Sequence, residues 1–426
     1  MSVRVAVVAG CRTPFARAGS ALSHMTPVQL GTVAVRELIN RAELDRATVD
    51  GLIFGTVVPS ILAPNVAREV TLESGLPATV QGFTVGRACA SANQAITSAA
   101  ESIMHGYGDV YVAGGVEILS DVPMLLSRSL RDILLSASRA KSLGARMKVL
   151  ARIRPGDLAP VTPAIAEPST GETMGESAER MAKENGITRA DQDRWALRSH
   201  RLAAQGTADG RLTAELVPTF IPPKYEHVID RDNGIRSDTT AEKMAALKPV
   251  FDRRYGTVTA GNSSPLTDGA SAVLLMSEGR AKALGYEPLG YIRSWHYTAL
   301  SPKDQLLQGP AYAAPVALDR AGVSMNDIGL WEIHEAFAAQ VLSNLQAMDS
   351  DTFAREKLGR DRKTGIIDED RINVMGGSIA IGHPFGATGA RLTITLLNEM
   401  KRRDVAVGLI TVCAAGAMGF AMVLER

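Results

Sequence analysis

Cysteine is scarce in this 426-residue chain, and Cys11, Cys89 and Cys413 lie far apart with no CxxC pair among them. An odd, scattered set of thiols argues against a disulfide framework and for a reducing compartment. An excess of one charge is missing too: 46 basic residues face 45 acidic ones, so nothing global points to nucleic acid or an acidic polymer as partner. No apolar run approaches the roughly 20 residues that a membrane-spanning helix needs. The opening MSVRVAVVAGCRTPF has too short an apolar stretch for a secretory signal and reads as a buried first strand. The closing MVLER carries no anchor or address signal. With 46% hydrophobic and 21% charged residues, the expectation is a cytoplasmic globular enzyme of two or three domains.

What is present is a strand–helix grammar. RVAVVAG, VDGLIFGTVV, VQGFTVGRA and DVYVAGGVEIL read as strands. Leu30, Val33, Ala34 and Leu38 mark a helix between the first two, and Ser91–Met104 forms another after the third. Such alternation predicts an α/β layer architecture. Between 121 and 165 the character changes. Leu126, Leu130, Ile133 and Leu134 recur at helical spacing, as do Leu143, Met147 and Leu150, and eight basic residues stand against three acids between Asp121 and Asp157. Helices are expected at Thr173–Asn185 and Arg189–Gln205, irregular sequence over 217–250, and α/β grammar again from about 251. GLITVCAAGAMG near the end echoes GFTVGRACASAN, which suggests a duplication with a cysteine reused in both halves.

Four motifs can carry chemistry. Cys89, in VGRACASANQAI, falls between a strand and a helix start, where the dipole and free N–H groups favour a thiolate. Its other reading is a buried structural thiol. Cys413 ends a strand amid small residues that let backbone N–H groups approach an oxyanion. His383 sits in MGGSIAIGHPFGATGARL, a Gly/Pro turn that is neither a phosphate loop nor a dinucleotide fingerprint, and could keep a nearby cysteine deprotonated. His334, in WEIHEAFAAQ, has alanine four residues on, so a zinc-protease helix is excluded, and no Cys/His pair has metal-ligand spacing. Glu335 beside it reads as an ordinary polar residue at a helix start. The other five histidines, His200 among them, read as structural or surface residues.

These motifs, in this order over nearly the whole chain, resemble those of the thiolases. Within that family the chain is most similar to the branch of the thiolase (β) subunit of fatty-acid oxidation trifunctional complexes, because His334 stands where most thiolases have asparagine and because of the basic helical insert. The resemblance implies a five-layered αβαβα fold of two similar halves. The first would be residues 1–120 completed by 247–275, and the second 276–426. Residues 121–246 would be an inserted, mostly helical loop domain carrying the basic amphipathic insert at 121–165.

It also implies roles. Cys89 would take the acyl group from a 3-ketoacyl-CoA, His383 would activate it and help bind the thioester oxygen, and Cys413 would be the general acid/base, a thiol being suited to shuttling protons near neutrality. One oxyanion hole would pair His383 with a water or side chain positioned by His334. The other would use the N–H groups of Cys89 and Ala415, a position usually glycine in the family. Ser264, in AGNSSP, would meet the pantetheine arm of coenzyme A, the co-substrate, with Asn262 and Gly261 shaping the loop. No cofactor or metal is implied. The expected partners are acyl-CoA and CoA, a second copy in a homodimer or dimer of dimers, a hydratase/dehydrogenase α-subunit, and a membrane surface touched through 121–165. Degradative cleavage in β-oxidation, biosynthetic condensation of acetyl-CoA, and a non-catalytic acyl-CoA-binding subunit stand as competing functions. His334, being titratable, would weaken activity at low pH if it must stay neutral.

Overall fold

The computed structural model describes residues 3–161 and 166–426. Nine strands form the path of its main sheet, with the two-residue strand Ala16–Arg17 pairing beside it on Thr267–Asp268: β1 (Val5–Arg12), β2 (Gly51–Gly55), β3 (Gln81–Val85), β4 (Val110–Glu117), β5 (Thr267–Ser277), β6 (Gly290–Ala299), β7 (Leu330–Ile333), β8 (Val407–Ala414) and β9 (Met418–Glu425). Their spatial order is β7-β8-β9-β6-β1-β5-β4-β2-β3. β2 lies parallel to β3 and β4, whereas β5 is antiparallel to β4 and β1. The last four strands repeat this plan: β7 is parallel to β8, and β9 is antiparallel to β8 and β6. The halves join where Val5–Val7 of β1 pairs with Gly290–Ile292 of β6.

Helices α1 (Pro27–Arg41) and α2 (Val66–Glu73) cover the first half on one side. A capping box of Thr26 and Gln29 starts α1, and its stripe of Leu30, Ala34, Val35 and Leu38 joins a core with Leu52, Phe54 and Leu274. The next helix, α3 (Ser91–Met104), begins and ends where the sequence placed it. In the insert stand α4 (Arg128–Ser138) and α5 (Leu143–Leu150); residues 121–165 form a compact unit separate from the rest. There Leu130, Ile133 and Ala137 are buried, while Leu126, Leu134, Leu135, Leu143 and Met147 are exposed. After it come α6 (Met174–Glu184), α7 (Arg189–Ala208), α8 (Gly309–Ala321), α9 (Ala338–Met348) and α10 (Thr388–Arg403). α8 and α9 cover the second half. α3 and α10 share the central core: Ala95, Ala99 and Ile103 lie in one cluster with Ala390, Ile394 and Leu397. A helix is apolar or internally satisfied wherever it is buried, which sets the terms for Arg391 in the buried stretch of α10.

The duplication is real, but the cysteines are not its repeated feature. In the second half the third strand shrinks to one parallel bridge, Trp331 to Ile372, beside β7. The loop running from that bridge into α10 therefore corresponds to the loop from β3 into α3. Cys89 lies in the latter, and its positional counterpart lies in the His383 loop. Cys413 belongs to β8, whose counterpart is β4, a strand without cysteine. The likeness of GFTVGRACASAN to GLITVCAAGAMG is local, not topological.

Candidate active site

Cys89 occupies a tight turn. Ala88, just before it, has φ 45°, a left-handed conformation that costs an alanine about 1–2 kcal/mol. Ser91 holds the turn: its hydroxyl accepts from the Arg87 N–H at 2.8 Å and donates to the Ala88 carbonyl at 2.7 Å. α3 starts directly after, with Ala90 as a cap that offers no side-chain acceptor. Glycines let neighbouring strand ends close on this turn, since a Cβ on Gly55 would lie 2.5 Å from the backbone of Ser91. The same holds for the second loop, where a Cβ on Gly115 would lie 1.9 Å from the Gly386 carbonyl oxygen.

The fold brings Cys89, His334 and His383 together, with one ligand atom of each within 4.8 Å of the others. The two rings stand 4.0 Å apart between centroids. His334 follows β7 and continues its ladder, its N–H donating to Thr411 O at 2.9 Å. His383 is tied to the loop before β5 through its N–H to Pro265 O at 3.3 Å.

Their tautomers follow from the groups behind them. Thr388 donates its hydroxyl to Pro384 O at 3.1 Å, so at 2.6 Å it accepts from His383 Nδ1–H. That leaves His383 Nε2 with a free lone pair. Ser378 accepts from Arg391 Nη2 at 2.6 Å and directs its own hydrogen to His334 Nδ1 at 2.9 Å, so His334 carries its proton on Nε2. Arg391 is fully buried on α10 and reaches Glu332 at 3.3 Å. One imidazole thus presents an acceptor and the other a donor to the same point.

Burial sets the charge states. It holds His334 well below the ordinary imidazole range, helped by His383 and Arg391, and brings His383 down to about 3. Both are neutral near pH 7. Burial also pushes the Cys89 thiol up to about 11, against the pull of the N–H groups of Ala415 and Cys89 itself, with Glu117 adding to the rise. The resting pair is therefore a thiol beside a neutral imidazole, and the expectation that His383 and the helix start keep Cys89 ionised is not met. The expected acid weakening through His334 is displaced as well, to pH values well below 6.5.

Cys413, at the end of β8, is buried among Leu306, Ala336, Ala339 and Ala417. Burial and the nearby Cys89 raise its thiol well above 9. The N–H groups of Ala415 and of Cys89 itself face the Cys89 sulfur and favour its thiolate against burial. Alanine at 415 brings no strain, because the left-handed residues of that turn are Gly416 (φ 83°) and Ala417 (φ 54°). Glu167 fixes the turn by accepting from the Gly416 N–H at 3.0 Å.

Ser264 and Gly261 line a cleft of about 570 Å³ together with Arg17, His200, Arg236, Lys243, Met244 and Leu247. Its floor adjoins His383 through Pro265. Asn262 shapes the loop as expected, accepting from Thr259 N at 2.8 Å and donating to Asp193 at 3.0 Å. One acid enters the cleft, Asp238, and it is paired with Lys243 at 2.7 Å. Arg17 and Arg236 form no ion pair among the described residues, and burial together with Arg236 lowers Arg17. Burial, Arg236 and Arg17 bring His200 down to about 4. Cations that disfavour one another in a cleft make a place for an anion.

The sequence reading missed this cluster and treated His200 as structural. It also missed Glu335, a buried carboxylate that accepts from Trp195 Nε1 at 3.1 Å, Ser199 Oγ at 2.8 Å and Asn373 Nδ2 at 2.8 Å. Glu335 thereby fastens α7 to the segment holding His334.

The architecture is that of a duplicated, mixed-sheet α/β enzyme. A family model described as the thiolase N-terminal domain matches residues 5–279, and one for the thiolase C-terminal domain matches residues 286–426. The chain belongs to the thiolase family. It is 50% identical over 422 residues, 99% of its length and 97% of the relative's, to a 3-ketoacyl-CoA thiolase of Pseudoalteromonas translucida (strain TAC 125). Identity and coverage are the same for a 3-ketoacyl-CoA thiolase of Yersinia pestis (strain Pestoides F). Among solved structures, the Bacillus anthracis acetyl-CoA acetyltransferase superposes with TM-score 0.86 at 35% identity, covering 100% of this chain and 99% of that one. The human mitochondrial 3-ketoacyl-CoA thiolase in complex with CoA superposes with TM-score 0.84 at 29% identity, covering 100% and 98%.

Proposed function

We propose that the chain is a 3-ketoacyl-CoA thiolase of fatty-acid β-oxidation, cleaving its substrate with CoA into acetyl-CoA and a shortened acyl-CoA. The observation that carries this reading is the convergence of Cys89 with two neutral imidazoles of opposite tautomer. The Cys89 sulfur attacks the 3-keto carbon as its proton passes to His383 Nε2. The oxyanion forming on that carbon is met by the N–H groups of Cys89 and Ala415, which face the sulfur, so charge appears only where two donors await it. The bond between the 3-carbon and the 2-carbon breaks, and the electron pair leaves on the acetyl-CoA fragment, which Cys413 protonates. Its thioester oxygen is met by His383, now carrying the Cys89 proton on Nε2, and by His334 Nε2–H. The Cys413 thiolate takes the proton of incoming CoA, whose sulfur takes the acyl group, and the Cys89 sulfur leaves and recovers its proton from His383.

The cleft at Ser264 is the route for the pantetheine arm, and Arg17 and Arg236, which form no ion pair among the described residues, meet the CoA phosphates. A cleavage assay over short-, medium- and long-chain 3-ketoacyl-CoA tests the reading. CoA-dependent release of acetyl-CoA is expected, faster on the longer chains. Cleavage at no chain length, with condensation of acetyl-CoA alone, would establish the biosynthetic reading instead. In the same assay Arg236→Ala should raise KM for CoA about tenfold, the scale of one charge-assisted contact, and leave KM for a truncated pantetheine thiol unchanged.

β3 is the open edge of the sheet and exposes Phe83, and an unprotected edge beside the Cys89 turn suits pairing with a second copy in a homodimer. The insert is assigned to an anionic membrane surface, because exposed Leu134, Leu135, Leu143 and Met147 share short helices with Arg131, Arg146 and Lys148. No helix among the described residues is long and apolar enough to cross a membrane. Deleting 125–153 should abolish sedimentation with anionic vesicles. Unchanged sedimentation, with loss of co-purification of a hydratase/dehydrogenase subunit, would transfer the surface to that partner.

A further inference from the structure

The expectation of no metal rested on sequence spacing, and folding circumvents spacing. Cys89, His334 and His383 come from three separate loops, yet one ligand atom of each lies within 4.8 Å of the others. Two further observations mark the space between them. His334 Nε2 and His383 Nε2 are both buried without a hydrogen-bond partner among the described residues, on side chains of residues 0% and 3% exposed. Each ring is also braced from behind at Nδ1, by Ser378 and Thr388. A ring nitrogen held by an outer hydrogen bond while the other points inward is the arrangement that metal-binding histidines use.

We infer that Cys89, His334 and His383 form an inhibitory site for a borderline-soft divalent cation, Zn²⁺ above all. One thiolate and two imidazoles match its ligand preference, with the fourth tetrahedral position left to water. Bond lengths of about 2.3 Å to sulfur and 2.0–2.1 Å to nitrogen bring such ligands about 3.3–3.6 Å apart. Closing the triangle therefore asks each side chain to move by less than about 1 Å. Binding releases the Cys89 proton to solvent and forms the Zn–S bond. His383 already carries a free Nε2 lone pair. His334 must move its proton from Nε2 to Nδ1, and Ser378 accommodates this by turning its hydroxyl, since its oxygen can accept from both Nδ1–H and Arg391. Mg²⁺ and Ca²⁺ prefer oxygen ligands and find none among these three atoms. The site rests on this geometry alone. Only its consequence, a blocked nucleophile, rests on the proposed reaction.

The test uses the intact protein in thiol-free, chelator-free buffer. Zn²⁺ is expected to protect Cys89 from iodoacetamide at one ion per chain, reversibly with EDTA, and Mg²⁺ is not. Co²⁺ in place of Zn²⁺ should give a tetrahedral visible spectrum with a thiolate charge-transfer band that Cys89→Ala lacks. His334→Asn should weaken protection by more than about 100-fold, beyond the 10–100-fold cost of losing an outer-shell partner. Equal protection in His334→Asn, protection by Mg²⁺, or a cobalt complex without the thiolate band would overturn the inference. Since binding and spectrum are read without turnover, a failed cleavage assay would leave this result standing, and the converse also holds.

Discussion

Replacing Cys89 with alanine is expected to lower cleavage of 3-ketoacyl-CoA by about four orders of magnitude or more, the scale on which loss of a covalent nucleophile falls. It should also remove the acyl adduct that mass spectrometry finds on the wild-type chain after mixing with acyl-CoA. The fold should tolerate the change: Ser91 and the left-handed Ala88, not the sulfur, hold the turn, and an alanine Cβ is already present in cysteine. A second measurement reads the resting charge state. With the thiol pushed up to about 11, only a small fraction is thiolate at neutral pH. That fraction grows tenfold with each unit of pH below the pKa, so alkylation of the free enzyme should still be climbing at pH 9. A rate already flat at pH 7 would mean a resting thiolate–imidazolium pair and would contradict the neutral site described above. An alanine variant that still acquires an acyl group would place the nucleophile elsewhere.

The neutral resting site explains why sequence suggested the residues but misjudged their state. A helix start favours a thiolate, and that much can be read from VGRACASANQAI. Desolvation opposes it, and it follows from the close approach that Gly55, Gly115 and Gly386 allow among the strand ends and loops around the Cys89 turn, which sequence does not reveal. Local patterns were legible in the same way. The apolar stripes of α1 and α3 and the strands around them were found because their periodicities are short-range. Missed were features whose partners are distant in sequence. Glu335 reads as a polar residue at a helix start until Trp195, Ser199 and Asn373 arrive to donate to it. Arg17, His200 and Arg236 look like scattered surface residues until the cleft gathers them. Arg391, in the buried first turns of α10, signals its partners Glu332 and Ser378 only through the fold. The resemblance of the two cysteine strands misled for a related reason: strand-then-small-residue is a common local pattern, and only the sheet order shows that Cys89 and Cys413 stand on non-equivalent segments.

The division of labour between the two thiols is open to direct separation. Cys413→Ala should lower cleavage of 3-ketoacyl-CoA by about 10²–10⁴, the usual range for loss of a general acid or base. Transfer of an acyl group from a simple acyl-CoA to Cys89 should fall far less. The reason lies in the leaving groups. Acyl-CoA releases CoA as a thiolate, stable near its ordinary pKa of about 8.5, whereas cleavage releases a carbanion that must be protonated at carbon as the bond breaks. Burial holds the Cys413 thiol well above 9, so at neutral pH it carries the proton that this step consumes. Alanine, however, also removes packing next to Leu306 and Ala339, so Cys413→Ser supplies the control. Serine fills nearly the same volume but holds its proton far more tightly than a thiol, and it cannot give the proton up and recover it within a turnover. If Cys413 is the proton shuttle, the serine variant loses cleavage nearly as fully as the alanine variant while both still acylate Cys89. If instead cleavage and acylation fall together in the alanine variant and recover together in the serine variant, Cys413 only fills space, and the proton must come from another group.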